Sequence, residues 1–498
     1  MELRHLPAGW VAAALLVVSF APTAATQSKL PRFERGECLV NGDWAHEVRR
    51  ECGWLVVAES RDHASTNTVR LAVEIFRARE PSGAPPLVLL HGGPGGRGGI
   101  RTMSAGVAAS PLVRNRDVVI YDQRGAGFSE PQLCPAYEEA SESASPLREG
   151  AEKERQLREA RRACIAELDA KGIDRLAYNT AASVADLIDL RRALGYASWN
   201  VYGGSYGARL AQEAVVSDAG AIRSVVLASP VARSFSVTAE QPRSTQRAFE
   251  RLFAACARQP SCRQAFPNLE QDFYADYDAL TRSPIPVSLT GPGRPTDTVW
   301  VDGDRLVADI RDRMGIRMEL GIVPLLLHEL RSGDRLRAAR EVVGDGSVPR
   351  GFAGRAVRAL VNCYDGYGPE FRRTLQTVNA RARPPFRRVA DRECEEWLPR
   401  FAEPSARTAV HSDIPTLILT GHFDDRTPTE HARRIAATLK RSYVVEFPDE
   451  GHDVRPGPCH MRILAGFLDD PTRRPDTSCV GALPALPFAT AWEATKAP

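Results

Sequence analysis

Lysine is scarce in this 498-residue chain: five of its 65 cationic side chains are lysine, and the rest are arginine. Against 62 acidic residues the formal net charge is only +3. No basic block is interleaved with aromatics, which argues against a nucleic-acid partner. Beyond residue 21 no apolar run is long enough to span a bilayer. No C-x-x-C pair or cysteine–histidine cluster has the spacing of zinc ligands, so zinc is a weak reading of the ten cysteines. No GK[ST] follows the glycine-rich stretches, which argues against a phosphate cradle. No internal repeat is visible.

What is present suits one large α/β domain with an insertion. Hydrophobic residues make up 43% of the chain, enough for a sizeable core. The first 25 residues read as a secretory signal: Arg4 and His5, the apolar run GWVAAALLVVSFA (9–21), then small residues up to Ala25, after which cleavage is expected. The mature chain is then exported, periplasmic or secreted, with no stable membrane insertion. An even number of cysteines in an exported chain suggests disulfides. Pairing each with its sequence neighbour gives Cys38–Cys52, Cys134–Cys164, Cys256–Cys262, Cys363–Cys394 and Cys459–Cys479.

Short, nearly continuous apolar runs predict buried parallel strands at 68–76, 86–93, 117–122, 199–204, 224–229, 416–421 and 443–448. Between them lie helical patterns such as 183–195, opened by Ser183 and closed by Gly195. The alternation predicts an α/β fold with a mostly parallel, doubly wound sheet. The strand rhythm stops after 230 and resumes at 416. We therefore assign 26–230 and 406–498 to one core and 231–405 to an inserted helical cap.

Glycines flank a serine in VYGGSYGARL (201–210), where a strand gives way to a helix. Gly203, Ser205 and Gly207 fit G-x-S-x-G in the context of a nucleophile elbow. A serine hydroxyl needs a base, and the base needs a carboxylate to orient it. HFDDRTP, after the run at 416–421, offers Asp424 and Asp425, of which we select Asp424. DEGHDV, after 443–448, offers His452. His411, His422, His431 and His460 are rivals, each expected at the surface. The glycine loop LLHGGPGGRGG (89–99) can turn the Gly93 N–H toward the serine, with the N–H of Tyr206 as second donor to an oxyanion. In YDQRGAGFS, Asp122 and Arg124 are expected to pair and brace that loop.

HGGPG (91–95), DQRGAGFS (122–129), GGSYG (203–207), GHFDDRTP (421–428) and EGHDV (450–454) together resemble the prolyl-iminopeptidase-like serine peptidases. The likeness is closer to the secreted tripeptidyl-aminopeptidase branch of the α/β-hydrolase superfamily, and it runs over most of the mature chain. It implies a serine exopeptidase acting near free N-termini, with Ser205 as nucleophile, His452 as base, Asp424 as its orienter and no metal or organic cofactor. It also implies acidic cap residues that receive the substrate ammonium group. Asp365 and Glu395 or Glu396, beside the expected Cys363–Cys394 bridge, are the candidates, with Trp397 as a pocket wall. Two positions depart from the family: Asp453 stands where glycine usually follows the histidine, and Asp425 where proline commonly follows the aspartate. Asp425, Asp449, Glu450 and Asp453 are expected to crowd His452 and raise its pKa. Two other readings stay open: a carboxylesterase with the same triad, and a catalytically silent binding scaffold.

Overall fold

The computed structural model describes residues 30–492 except 63–65, 145–150, 290–296, 345–352, 389–392, 404–406 and 455–456. The expected signal segment, 1–25, lies outside the described residues. Nine strands form one sheet: β1 (Arg32–Gly36), β2 (Arg50–Ala58), β3 (Thr68–Phe76), β4 (Leu87–Leu90), β5 (Val118–Tyr121), β6 (Trp199–Gly204), β7 (Ile222–Ala228), β10 (Thr416–Gly421) and β11 (Ser442–Phe447). A hairpin of β8 (Ile285–Leu289) and β9 (Asp297–Val301) stands apart.

The sheet order is β1-β2-β3-β5-β4-β6-β7-β10-β11. From β5 to β11 every neighbour is parallel. The apolar runs there face both ways: Val88, Val201 and Leu227 enter one core layer, and Leu87, Leu89 and Val226 the other. The run at 68–76 corrects our expectation, because β3 is antiparallel to both β2 and β5. The connection from β2 to β3 is too short for a crossover, so the chain turns back as a hairpin. Strands β1 and β2 were not anticipated. β1, at the sheet edge, has no buried residue, whereas β2 beside it buries Leu55, Val56 and Val57. The helix expected at 183–195 begins earlier, at Thr180, because the Asn179 side chain accepts from the Ala182 N–H and takes the capping role given to Ser183.

Between β7 and β10 the chain builds a mostly helical layer around its own apolar cluster, which includes Phe249, Phe273, Leu306, Met314 and Leu326. Its limits are less clean than 231–405. Ala356, Val357, Leu360 and Trp397 pack into the sheet's cluster, whereas Leu486 and Phe488 from the tail pack into the cap's. All five neighbouring cysteine pairs sit at bonding distance, 1.99–2.03 Å. Among the described residues no helix is long and apolar enough to cross a membrane.

Candidate active site

The elbow shows why glycine flanks the serine. β6 runs into Ser205, which adopts φ +54° and ψ −116°, and the helix Tyr206–Ser217 starts at once. A Cβ at Gly203 would overlap the Gly207 carbonyl, and one at Gly207 would overlap that of Leu90. Any side chain at either position would push the turn off the sheet. The Ser205 N–H donates to the Ala228 carbonyl (2.8 Å), which pins the strained residue to β7.

Three loops at the carboxyl ends of β6, β10 and β11 bring the acting groups together. The Ser205 hydroxyl lies 3.0 Å from His452 Nε2. His452 Nδ1 lies 3.0 and 2.9 Å from the two oxygens of Asp424. A ring nitrogen facing a carboxylate carries the proton, so Nε2 presents its lone pair to the hydroxyl. Burial pushes the His452 imidazolium down, but the charge and hydrogen bond of Asp424 outweigh it and the pKa is raised. Asp424 is itself buried, which alone would raise its pKa. The charge and hydrogen bond of His452 and the donors of Thr427 hold it well below the usual carboxylate range. Arg426 N–H and Thr427 N–H each donate to Oδ1 at 2.8 Å.

Asp425 points elsewhere. Its side chain is fully buried and pairs with Arg311 of the cap (2.8 Å). This corrects the expected crowding of His452: Asp453 adds to the raised pKa, but Arg426 opposes it.

Several contributors carried no signal in the sequence. The Thr427 hydroxyl sits 2.7 Å from Asp424 Oδ2 and 2.8 Å from the Ser229 carbonyl, two acceptors for one proton. Ser229, at φ +45°, donates its hydroxyl to the His452 carbonyl (2.5 Å). The cap clamps the same loop: His452 N–H donates to Met314 (3.2 Å) and Asp453 N–H to Gly315 (3.0 Å). These links to Ser229, Met314 and Gly315 join residues more than a hundred positions apart and leave no local pattern.

The glycine loop lies beside the serine. A Cβ at Gly92 would stand 3.1 Å from that of Ser205. Gly93 is exposed at φ +133°, and among the described residues no carbonyl accepts from its N–H or from that of Tyr206. His91 holds the loop, with Nδ1–H donating to the Gly92 carbonyl (2.8 Å), and burial pushes its pKa down to about 4. The expected Asp122–Arg124 pair does not form. Asp122 accepts from the Ile100 (3.0 Å) and Phe128 (2.9 Å) N–H groups, while Arg124 makes a buried fork with Asp186 at 2.7 Å. Burial lifts Asp122 to about 6 against those N–H donors. Arg124 is drawn away because a buried guanidinium needs a bidentate partner.

The proposed ammonium receptors have other partners. Asp365 is buried and accepts from the Thr180 hydroxyl, which also meets the Tyr206 hydroxyl (2.9 Å). Glu395 engages Arg372, and Glu396 engages Arg161 (2.7 Å) and Arg162 (3.3 Å). Trp397 is fully buried, edge-on to Tyr137, and so is no pocket wall. Of the rival histidines, His431 and His460 are buried, not surface residues. Burial pushes both down to about 4.

Residues 85–283 match the family described as alpha/beta hydrolase fold, and residues 386–479 match the one described as TAP-like protein. No curated protein matches the chain in sequence. Among solved structures, it is similar to the proline iminopeptidase of Mycobacterium smegmatis (16% identity, 84% of this chain and 98% of that one, TM-score 0.40). A proline iminopeptidase-related protein from Thermus thermophilus follows (18% identity, 85% and 93%, TM-score 0.36). An esterase from Thermogutta terrifontis is similar too (16% identity, 80% and 91%, TM-score 0.33).

Proposed function

From a chain that belongs to the α/β hydrolases and carries a TAP-like region, we propose an exported serine exopeptidase that cuts peptides near a free N-terminus. The observation that carries its serine-hydrolase chemistry is the relay from Asp424 through His452 to Ser205, with 2.9 and 3.0 Å at its two junctions, and the TAP-like match over 386–479 supports the peptidase side. Ser205 attacks the scissile carbonyl while His452 Nε2 takes the hydroxyl proton. The oxyanion meets the N–H groups of Gly93 and Tyr206. His452 then gives its proton to the leaving amine, and an acyl-enzyme remains on Ser205. Water, deprotonated by the same nitrogen, releases the acid. Asp424 stays ionised throughout, stabilising the imidazolium. No step calls on a metal or organic cofactor. Five cysteine pairs at disulfide distance support export, since such bonds persist in oxidising compartments.

One observation favours a second reading. Asp365, Glu395 and Glu396 are committed to other partners, and without an acidic receptor the same triad suits a carboxylesterase. Labelling with a fluorophosphonate probe, followed by parallel assays on a peptide library and on acyl esters, decides. The proposal expects Ser205-dependent labelling and loss of residues from free N-termini only. Labelling with ester turnover and no peptide cleavage would establish the esterase. Absence of labelling would leave the binding scaffold.

A further inference from the structure

Two glycines, one in the histidine loop and one in the cap, are crowded by carbonyls from distant parts of the chain. A Cβ at Gly451, next to His452, would overlap the Met314 carbonyl, and one at Gly321 would overlap that of Pro487. Gly321 has φ −63°, which any residue adopts, so space and not conformation excludes a side chain there. Gly451 has no positive φ either. The two contacts mark the ends of one short stretch of the cap, 314–321. At its first end the Met314 and Gly315 carbonyls accept from the His452 and Asp453 N–H groups. Its second end is held by the chain's tail.

The Ala489 N–H donates to the Gly321 carbonyl (3.0 Å). Arg317 Nη2 donates to the carbonyls of Pro484 (2.8 Å) and Ala485 (3.1 Å). Gln259, after the helix Val237–Arg258, donates to the Leu486 carbonyl (3.2 Å) and accepts from the Phe488 N–H (3.3 Å). Leu486 and Phe488 are buried in the cap's apolar cluster together with Met314 and Leu320. The Arg337 guanidinium covers the Trp492 ring at 4.5 Å from its centroid. The start of the tail is fixed to the core instead. Cys479 pairs with Cys459 of the helix Pro458–Asp469, which buries Ile463, Leu464 and Phe467 against the sheet. Pro484 and Pro487 fix their own φ and lower the entropy lost on ordering the strap. Within 314–321 the Leu320 N–H donates to the Ile316 carbonyl (3.0 Å), and the Gly315 N–H donates back to Asp312 (3.0 Å). A stretch so short and so bonded moves as a unit.

We propose that the tail segment 484–489 is a positioning element of the active site: by gripping 317–321 it fixes the Met314 and Gly315 carbonyls, and through them His452 over Ser205. Gln259 and Arg317 are its positioning residues, and neither touches the reacting atoms. The 3.0 Å from His452 Nε2 to the Ser205 hydroxyl depends on where the His452 backbone stands. That backbone is held by its N–H bond to Met314 (3.2 Å) and by the Ser229 hydroxyl on its carbonyl (2.5 Å). Misplacing an acting group by about 1 Å costs about 10²-fold in rate, and partial release of the strap costs less. This inference rests on the serine-hydrolase reading and adds a remote element that sets its rate.

The test compares the wild-type enzyme with Gln259→Ala, Arg317→Met and the double variant, all with the triad intact. Saturation kinetics of fluorophosphonate labelling separate binding of the probe from attack by Ser205. In the double variant the limiting rate should fall about tenfold, while the half-saturating concentration stays within about twofold, because placement of the base is disturbed and not binding. Arg317→Met, at a partly exposed side chain, shows the same change in smaller size without the double variant. Arg317→Lys, which keeps a donor for the two carbonyls, restores part of the rate. Hydrogen exchange of the same variants on a Ser205→Ala background reads the coupling without reaction. Release of the strap should speed exchange at the His452 and Asp453 amides beyond the mean for the rest of the chain. Unchanged labelling in the double variant overturns the inference. Slower labelling with unchanged exchange at 452 and 453 overturns it too, as does exchange that rises equally everywhere, the mark of general loosening. A failure of the hydrolase reading shows separately, as absent labelling of the wild-type enzyme, and the exchange comparison still decides whether the strap holds His452.

Discussion

Arg311 joins the cap to the catalytic loops, and Arg311→Met should expose how much depends on that joint. Its Nε donates to Asp425 Oδ2 at 2.8 Å. The Asp425 side chain is fully buried, Arg426 stands off at 3.9 Å, and Thr245 reaches Oδ2 only at 3.5 Å. Among the described residues no hydrogen-bond donor reaches Oδ1. Removing Arg311 therefore strips a buried carboxylate of its close counter-charge. Breaking one side of a buried pair costs about 3–5 kcal/mol. Arg311 is 24% exposed, so water entering the gap places the loss near the lower end. The uncompensated charge lies one residue from Asp424 and favours the His452 imidazolium, so the acid limb of kcat/KM should move to higher pH. The double variant Arg311→Met, Asp425→Asn removes both charges and should recover most of the stability and the original limb. Urea unfolding and pH–rate profiles of the wild type, single and double variants form one cycle. A single variant within about 0.5 kcal/mol of wild type, the range of ordinary surface changes, would refute the buried-pair reasoning. So would a double variant no better than the single.

Two further outcomes are expected. In the wild-type enzyme the Asp424 charge overcomes the burial of His452, and catalysis needs the neutral ring. Activity should fall as pH drops through a value above 6.5, the ordinary histidine pKa, and a limb at or below that value would contradict the geometry. Gly207→Ala would drive a methyl into the Leu90 carbonyl, at the root of the glycine loop. Overpacking of this kind costs about 1–3 kcal/mol. Fluorophosphonate labelling should slow at least tenfold, and an unchanged labelling rate would show that the elbow tolerates a side chain.

Much of the site could be read where a local rule applies. The elbow is legible because a strand-to-helix turn this tight excludes side chains on both flanks of Ser205. The run TLILTG matches β10 residue for residue, since a strand covered on both faces must be apolar throughout. Cysteine neighbours pair because short loops meet easily. The edge strand β1 was not legible, because Arg32–Gly36 alternates charged residues and lacks that continuous apolar signal, whereas β2 beside it does carry an apolar run, GWLVVA at 53–58.

The sequence alone determined the chemistry on offer: a serine at a turn, then a carboxylate and an imidazole at later strand ends. Those choices are local, set by backbone sterics and the periodicity of burial. Tertiary structure alone decided which aspartate meets His452, since Asp424 and Asp425 are adjacent and chemically identical. It gave Arg124 to Asp186 instead of Asp122, set Ser229 and Met314 against the histidine loop, and committed Asp365, Glu395 and Glu396 to partners of their own. These outcomes turn on which charges share a buried volume, and only the folded chain brings such distant residues into contact.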